Sequence, residues 1–124
     1  MDAGKLAREY ETGRRNFRGV DLARANLRGL TLMAADFTGA DLSGALLDQA
    51  NLMCAALVDA NLRGARMAGA DLRRAKLAGA SFPGTRVDEV LGMDGLRGAQ
   101  LDREQVVSLA YRMAADLGIV VLDD

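Results

Sequence analysis

A strict five-residue period constrains this 124-residue chain more than any other feature. Every fifth residue over fifteen consecutive units is large and apolar: Phe17, Leu22, Leu27, Leu32, Phe37, Leu42, Leu47, Leu52, Leu57, Leu62, Met67, Leu72, Leu77, Phe82 and Val87. Alanine stands two residues earlier in eleven units, and Asp or Asn stands between the two in eight. Glycine stands two residues after the large residue in eight units. This register predicts one small structural unit repeated along the chain.

A period of five excludes both regular secondary structures as the repeating element. Five residues advance an α-helix by about 500°, so the large residues would scatter around it. A flat strand, whose side chains alternate every two residues, does not fit either. The pattern fits a short extended piece followed by a corner, with the alanine and the large residue on one side of the backbone. A coil built in this way closes around an axis that the two apolar positions fill, and glycine eases the corner.

The individual units resemble the pentapeptide-repeat family. The resemblance is carried by Ala-Asp-Phe-Thr-Gly and Ala-Asp-Leu-Ser-Gly (35–39 and 40–44), Ala-Asn-Leu-Arg-Gly (60–64) and Ala-Asp-Leu-Arg-Arg (70–74), and it covers residues 15–87. Residues 10–19 also resemble the start of many arrays in that family. The resemblance implies an all-β solenoid, a right-handed quadrilateral β-helix with four units per coil. Fifteen units then make nearly four coils, about 19 Å tall at a spacing of about 4.8 Å per coil.

Both ends of such an array need covering, because terminal coils expose apolar core and unpaired backbone. We expect an N-terminal capping segment over residues 1–14, containing a helix over 3–11 with Asp2 as its N-cap. We expect the β-helix over 15–89 and a loop, capping helix and tail over 90–124, all within one domain. After Val87 the register breaks, and Leu96 and Leu101 resume the period in a shifted phase.

The second helix is predicted from a capping box formed by Asp102 and Gln105. An apolar stripe follows and predicts the face that packs on the array, with Gly118 as the stop. The stripe consists of Val106, Leu109, Ala110, Met113 and Leu117. Residues 119–122 form a short apolar tail that fits a strand. End-capping is the preferred interpretation of both helices, and the tail leaves dimerisation open.

Composition excludes several classes of function. The chain has no His and one Cys. We therefore expect no histidine-dependent catalysis, no internal disulfide and no zinc site of the usual kind. We therefore expect a protein that is not an enzyme and uses no cofactor and no metal. The chain has sixteen basic and seventeen acidic residues, and this balance does not indicate direct binding of nucleic acid. No apolar stretch has the length of a membrane span, so we expect no membrane association and a cytoplasmic location.

Residues twenty apart stack on one face when four units make a coil, which turns the sequence into a surface map. Met33 then lies over Met53 where polar residues are usual, and Leu46 and Val58 break the polar pattern in the same middle zone. Methionine suits adaptable interfaces. Arg73 and Arg74 continue the Met33 face into a weakly basic region that fits an acidic partner. Scattered surface apolar residues and a solvated charged surface are the competing interpretations.

Charge is also banded along the array. Residues 29–62 contain four Asp and neither Lys nor Arg, whereas the first and last coils are rich in Arg. Asp21 and Asp41 stack in adjacent coils at a separation close to that of a retaining glycosidase pair, about 5 Å. We interpret these Asp and Asn side chains instead as partners of the neighbouring turn backbone, because a convex wall offers no pocket for a substrate.

Three hypotheses of function follow. The preferred one is a rigid structural or interaction module that presents its faces to an unknown protein partner, or to a second copy through the C-terminal helix and tail or the methionine surface. The resemblance implies an alternative, since some family members imitate DNA and bind type II topoisomerases such as gyrase, which confers quinolone resistance or self-resistance. A 19 Å mimic would need about eleven negative charges, whereas residues 15–89 carry a net charge of +2. An enzyme is the third hypothesis and is rejected.

Overall fold

The structure is a computed structural model that describes residues 1–122. Helix α1 spans Ala3–Glu11, a short 3-10 turn spans Met93–Leu96, and helix α2 spans Arg103–Asp116. The repeat array follows α1 and extends past the 3-10 turn to Gln100, before α2 begins. Neither of the helices in residues 1–122 is long and apolar enough to cross a membrane.

Residues twenty apart in sequence pair as parallel backbone bridges, beginning with Asn16 and Asp36. Four five-residue units therefore make one coil, as the sequence predicts. We number the four sides in chain order. Side 1 holds 15–19, 35–39, 55–59 and 75–79; side 2 holds 20–24, 40–44, 60–64 and 80–84; side 3 holds 25–29, 45–49, 65–69 and 85–89; and side 4 holds 30–34, 50–54 and 70–74.

Each side is too short to form a continuous strand, so the pairing consists of single bridges. Phe17 donates its N–H to the Asp36 carbonyl at 2.8 Å, and Asp36 donates its own to the Arg15 carbonyl at 2.7 Å. The same alternation recurs from coil to coil. A turn bond closes each corner, as in the Ala40 N–H to Phe37 carbonyl bond of 2.9 Å. The solenoid expected from the sequence is therefore built from short sides joined by single bridges, without continuous strands, and lies between two helices.

The core of the array is the predicted ladder. All fifteen large residues from Phe17 to Val87 have at most 1% of their surface exposed. Ten of the eleven alanines two residues earlier are buried as well, and Ala25 of the first coil is half-buried. Phe17 and Phe37 stack in adjacent coils with ring centroids 5.6 Å apart. Alternation of small and large side chains fills the narrow axis because two large ones per side would not fit.

The corner residue two positions after the large residue adopts left-handed backbone geometry in fourteen of the fifteen units. Eight of these residues are glycines, and six are not, with φ between 57° and 61°. An L-residue in this region costs roughly 1 kcal/mol because its Cβ crowds the following carbonyl oxygen. Six corners of the repeat therefore carry backbone strain, and glycine at these positions would relieve that strain. The six are Arg24, Ala34, Gln49, Cys54, Asp59 and Arg74.

Helix α1 closes the first coil. Asp2 accepts the Lys5 N–H at 2.8 Å and begins the helix at the predicted position. Leu6 is fully buried at the end of the core, and the Tyr10 hydroxyl donates to the Met33 carbonyl at 2.9 Å. The Arg14 guanidinium lies 4.6 Å from the centre of the Phe17 ring. Apolar packing and a cation over the first aromatic ring together cover the open end.

The array continues beyond residue 89, although the sequence predicts a loop from residue 90. Leu91 pairs with Asp71 in the old register, and Gln100 pairs with Ser81 nineteen residues away. The 3-10 turn absorbs the missing residue, and Gly95 is needed there because any side-chain carbon would overlap the Leu72 carbonyl oxygen. Val90 and Leu96 are buried and extend the core. The predicted shift of phase is confirmed, and the last coil is longer than expected.

Helix α2 covers the other end, but with a different face from the one we expected. The Asp102–Gln105 capping box is present, and the helix ends at Asp116, with Leu117 as C-cap and Gly118 in the left-handed region. The predicted packing stripe is wrong in four of its five residues. Only Leu109 is half-buried. The exposed members are Val106, Ala110, Met113 and Leu117.

Besides the half-buried Leu109, the face that meets the array is polar. Gln105 Nε2 donates to the carbonyls of Phe82 and Thr85 at 2.6 and 2.7 Å. Arg112 Nη1 donates to the carbonyls of Asp88, at 2.6 Å, and Val90. The last coil of a parallel stack has carbonyls without a further coil to bond, so side-chain donors are required there. The expected strand at 119–122 is absent, and these residues are exposed.

Replacing Ala34 by glycine should raise the free energy of unfolding by about 0.5 kcal/mol. Relief of the left-handed strain at φ 61° exceeds the entropy that glycine adds to the unfolded chain. The neighbouring Ala35→Gly is the matched control, since Ala35 is buried and its loss should destabilise by about 1.5 kcal/mol. Urea unfolding measures both. Equal destabilisation by the two substitutions would contradict the corner geometry.

Candidate interaction surface

The Asp and Asn side chains of the repeat bond the backbone of their own corner. In all eight units that carry one, the side-chain Oδ1 accepts the N–H of the residue two positions later, at 3.0 to 3.3 Å. The predicted structural role is confirmed. These bonds satisfy a corner N–H that points away from the next coil.

The Asp21–Asp41 stack is bridged as predicted but does not have the features of a catalytic pair. Asp41 Oδ1 accepts the Ser43 N–H at 3.0 Å and the Ser43 hydroxyl at 2.6 Å. The hydroxyl, and then the backbone N–H, lower the pKa of Asp41 below its ordinary value. A glycosidase acid needs a raised pKa. These carboxylates therefore act as hydrogen-bond acceptors within corners.

Side 4 carries the predicted methionine column. Met33 is 38% exposed, and Met53 lies half-buried one coil above it. Arg73 stands above Met53 and brings its Nη2 to 3.8 Å from the Met53 sulfur. The thioether is thus covered on one edge by a guanidinium, while Met33 remains open to solvent.

Arg73 is held by a bidentate contact with Asp71. Its Nη2 donates to Asp71 Oδ2 at 2.6 Å and its Nε donates to Oδ1 at 2.9 Å. This pairing lowers the pKa of Asp71 and raises the pKa of Arg73. Charge-assisted bonds of this geometry orient the arginine along side 4.

The six predicted interface residues do not form a single patch. Met33, Met53, Arg73 and Arg74 share side 4, and Val58 lies around the corner on side 1. Leu46 lies on side 3, where it bridges Asn26 and Arg66. Sides 1 and 3 face in opposite directions, so Leu46 and Val58 cannot meet one flat partner surface together.

The acidic band of the middle coils is partly neutralised by arginines of neighbouring coils. Asp48 Oδ2 lies 3.3 Å from Arg28 Nε and 3.6 Å from Arg66 Nη2. Asp36 Oδ2 lies 3.4 Å from Arg18 Nε. Because residues twenty apart stack, charges that are distant in sequence become neighbours. The band seen in the sequence is therefore not a uniform negative surface.

The part of the chain that the structure describes contains no group of three or more His, Cys, Asp or Glu placed to hold a metal ion. Its recesses lie between turns, as where Asp88, Glu104 and Ser108 line the gap between side 3 and α2. Cys54 is a free, exposed thiol at a corner of side 4.

The sequence left the C-terminal helix and tail open as a dimerisation surface but did not show how much apolar area they expose. This area lies on α2 and the tail, where the exposed large apolar residues are Val106, Val107, Tyr111, Met113, Leu117, Ile119, Val120, Val121 and Leu122. Helical periodicity identifies an apolar face but not the direction in which it points. We expect the stripe to face the array only because end-capping is the preferred interpretation of the helix.

The five-residue corners, the stacked coils and the filled axis define a repeat solenoid of the pentapeptide type. The chain belongs to that family, since the model for pentapeptide repeats matches it in eight copies over residues 16–53 and 55–90. No curated protein sequence matches it significantly.

Several solved structures are similar to the chain. HetL, a pentapeptide repeat protein involved in heterocyst differentiation regulation in the cyanobacterium Nostoc sp. strain PCC 7120, is 32% identical with a TM-score of 0.62. That match covers 73% of this chain but 42% of HetL, so the chain spans less than half of its length. The pentapeptide repeat protein alr5209 of Nostoc PCC 7120 is 29% identical over 82% of this chain and 96% of its own, with a TM-score of 0.45. QnrB1, a plasmid-mediated fluoroquinolone resistance protein, is 22% identical over 86% and 68%, with a TM-score of 0.36.

Asp41→Asn should reduce the acid sensitivity of the fold. The pKa values of Asp36, Asp41 and Asp71 are lowered in the folded protein. Their stabilisation is therefore present above the ordinary carboxyl pKa and is lost as the pH falls through the lowered values. An Asn at position 41 keeps the acceptor without titrating. Urea unfolding at pH 7 should be nearly unchanged, and the loss on going to pH 3 should be smaller than in the wild type.

The reciprocal control is Asn26→Asp, which adds a carboxylate to the same corner bond beneath the uncharged Leu46. This variant should lose more stability than the wild type between pH 7 and pH 3. Equal acid sensitivity of the two variants and the wild type would show that the corner carboxylates do not carry the pH dependence.

Proposed function

We propose that this right-handed quadrilateral rod is a non-enzymatic docking module whose side 4 binds a protein partner. The exposed Met33 next to the half-buried Met53 on side 4 is the observation that carries the proposal. Methionine side chains adapt to partners of different shape and contribute apolar contact at little conformational cost to the rod.

Rigidity supports a docking role. Every large residue of the ladder is buried, and each coil bonds the next through backbone groups on all four sides. A partner that contacts several coils would meet side chains already held in place, so little order is lost on binding. HetL, to which the chain is similar, is involved in heterocyst differentiation regulation, and a rigid surface for protein contacts fits such a role.

Self-association is a second feature of the proposal. Helix α2 turns its polar face to the array and leaves Val106, Tyr111 and Met113 about half exposed, and the tail adds further apolar surface. Apolar surface of this extent favours contact with another protein surface. We therefore include a second copy among the partners.

Imitation of DNA is less well supported by the charges. The carboxylates that would have to stand in for phosphates are partly engaged, as Asp36 is by Arg18 and Asp71 is by Arg73. A duplex presents about one negative charge per 1.7 Å, and residues 15–89 have a net positive charge. We expect micromolar protein neither to inhibit gyrase supercoiling nor to protect gyrase from a quinolone. Either effect in a supercoiling assay would restore the alternative.

Charging side 4 should abolish partner binding without unfolding the rod. We expect Met33→Lys with Met53→Lys to leave the thermal unfolding midpoint within a few degrees of the wild type. Affinity capture from the source organism should recover at least tenfold less of a specific protein, quantified by mass spectrometry. The matched control is Ala23→Lys with Ser43→Lys, which places the same charges in the same column of the opposite side 2. Equal recovery with both double variants would remove side 4 as the docking surface.

A further inference from the structure

Residues 119–124, which we name the tail, consist of four apolar residues followed by two aspartates. Ile119, Val120, Val121 and Leu122 are 56, 79, 46 and 81% exposed, and Asp123 and Asp124 follow them in the sequence. Four consecutive exposed apolar residues are costly in water and point to a contact that a single copy does not make.

The corner between sides 4 and 1 has an apolar surface in its middle coils. Met33 and Met53 lie on side 4, and Ala56 and Val58 lie on side 1 immediately around the corner. These four residues, which we name the corner patch, lie in two adjacent coils, with Met33 one coil below Met53 and with Ala56 and Val58 following Met53 along the chain. Cys54 separates the two sides at the turn itself.

Cations lie directly above the corner patch. Arg73 and Arg74 follow Met53 one coil higher, and Lys76 lies above Ala56, with which it is bridged. Arg97 lies one coil further up on side 1, since the carbonyl of the adjacent Gly98 accepts the Gly79 N–H.

These four cations are mostly uncompensated. Within residues 1–122, only Arg73 has an ion pair, with Asp71; Arg74, Lys76 and Arg97 have no carboxylate within 4.0 Å. Asp94, in the turn above, makes no ion pair with them. Four cations against two carboxylates leave this group, the cationic rim, positive.

We propose that the corner patch and the cationic rim bind residues 119–124 of a second copy of this chain. This proposal rests on the proposed docking role of side 4 and names its partner. The tail and its binding surface have their apolar and charged parts in the same order. In the tail the apolar residues precede the two aspartates, and along the rod the corner patch precedes the cationic rim. Charge complementarity sets the direction in which the tail lies.

The lengths also agree. An extended four-residue segment spans about 13 Å, and two coil spacings from the Met33 coil to the Arg73 coil amount to about 10 Å. A tail that runs along the corner from the Met33 coil therefore brings Asp123 and Asp124 to the level of the rim. In its own copy the tail makes no such contact, since all four apolar residues are exposed.

A single docked tail is a small contact, below the roughly 800 Å² per partner of a standard interface. Each copy carries both a tail and a corner, so reciprocal exchange doubles the contact and closes a dimer. Head-to-tail docking would instead produce longer chains. Either geometry predicts weak, concentration-dependent association.

The test measures self-association of the full chain by sedimentation and light scattering across concentration. The tail variant Leu122→Lys and the rim variant Arg74→Glu with Lys76→Glu should each weaken association at least tenfold. The control Arg63→Glu, an exposed cation on side 2, should leave it unchanged. Circular dichroism should show that all variants remain folded, because every substituted side chain is exposed.

Complementation distinguishes tail-to-corner docking from other contacts. A mixture of the tail variant and the rim variant holds one intact tail and one intact corner, so the two should associate with each other although neither associates with itself. Placing Asp123→Lys and Asp124→Lys in the rim variant should restore self-association. Loss of association in the tail variant alone, with the rim variant unaffected, would indicate tail-to-tail packing and overturn the proposal.

A peptide provides an independent measurement. Fluorescently labelled Gly-Ile-Val-Val-Leu-Asp-Asp, residues 118–124, should bind the full-length tail variant saturably and bind the combined tail and rim variant at least tenfold more weakly. Absence of binding would overturn the docking of the tail. If capture of another protein still depended on Met33 and Met53, the proposed function would stand while this inference failed.

Discussion

The narrow axis of the coil is the constraint on which the whole structure depends. Four five-residue sides enclose room for one large and one small side chain each, and the ladder from Phe17 to Val87 fills it with almost no exposure. Since interiors pack as densely as crystals, a larger residue at an alanine position would push the coils apart. The same restriction forces a corner every five residues, which is why left-handed backbone recurs even where glycine is missing.

Stacking makes the ends of the rod chemically different from its middle. Within the array, backbone groups bond the neighbouring coils or close their own corner, and Asp or Asn side chains accept further corner N–H groups. At the last coil the carbonyls have no further coil, and Gln105 and Arg112 of α2 supply the missing donors. This requirement turns the polar face of α2 inward and its apolar face outward. The exposed apolar surface of the C-terminal region is thus a consequence of how the rod is closed.

The surface of the rod is organised by the spacing of twenty residues rather than by proximity in sequence. Arginines of one coil neutralise aspartates of the next on side 3. At the corner between sides 4 and 1, by contrast, Arg74, Lys76 and Arg97 lie above apolar side chains and have no ion pair within residues 1–122. Charge that is compensated stabilises or orients the rod locally, and charge that is not compensated is available to a partner.

The sequence by itself determined the repeat, the core ladder, the coil of four units, the capping box and the role of the corner Asp and Asn, because all of these depend on local register within five or twenty residues. Several features depended on tertiary structure. The direction in which α2 faces, the extension of the array to Gln100 and the separation of Leu46 from the other predicted interface residues are of this kind. Periodicity shows that a helix has an apolar face, but only the unpaired carbonyls of the final coil decide which face is turned towards them.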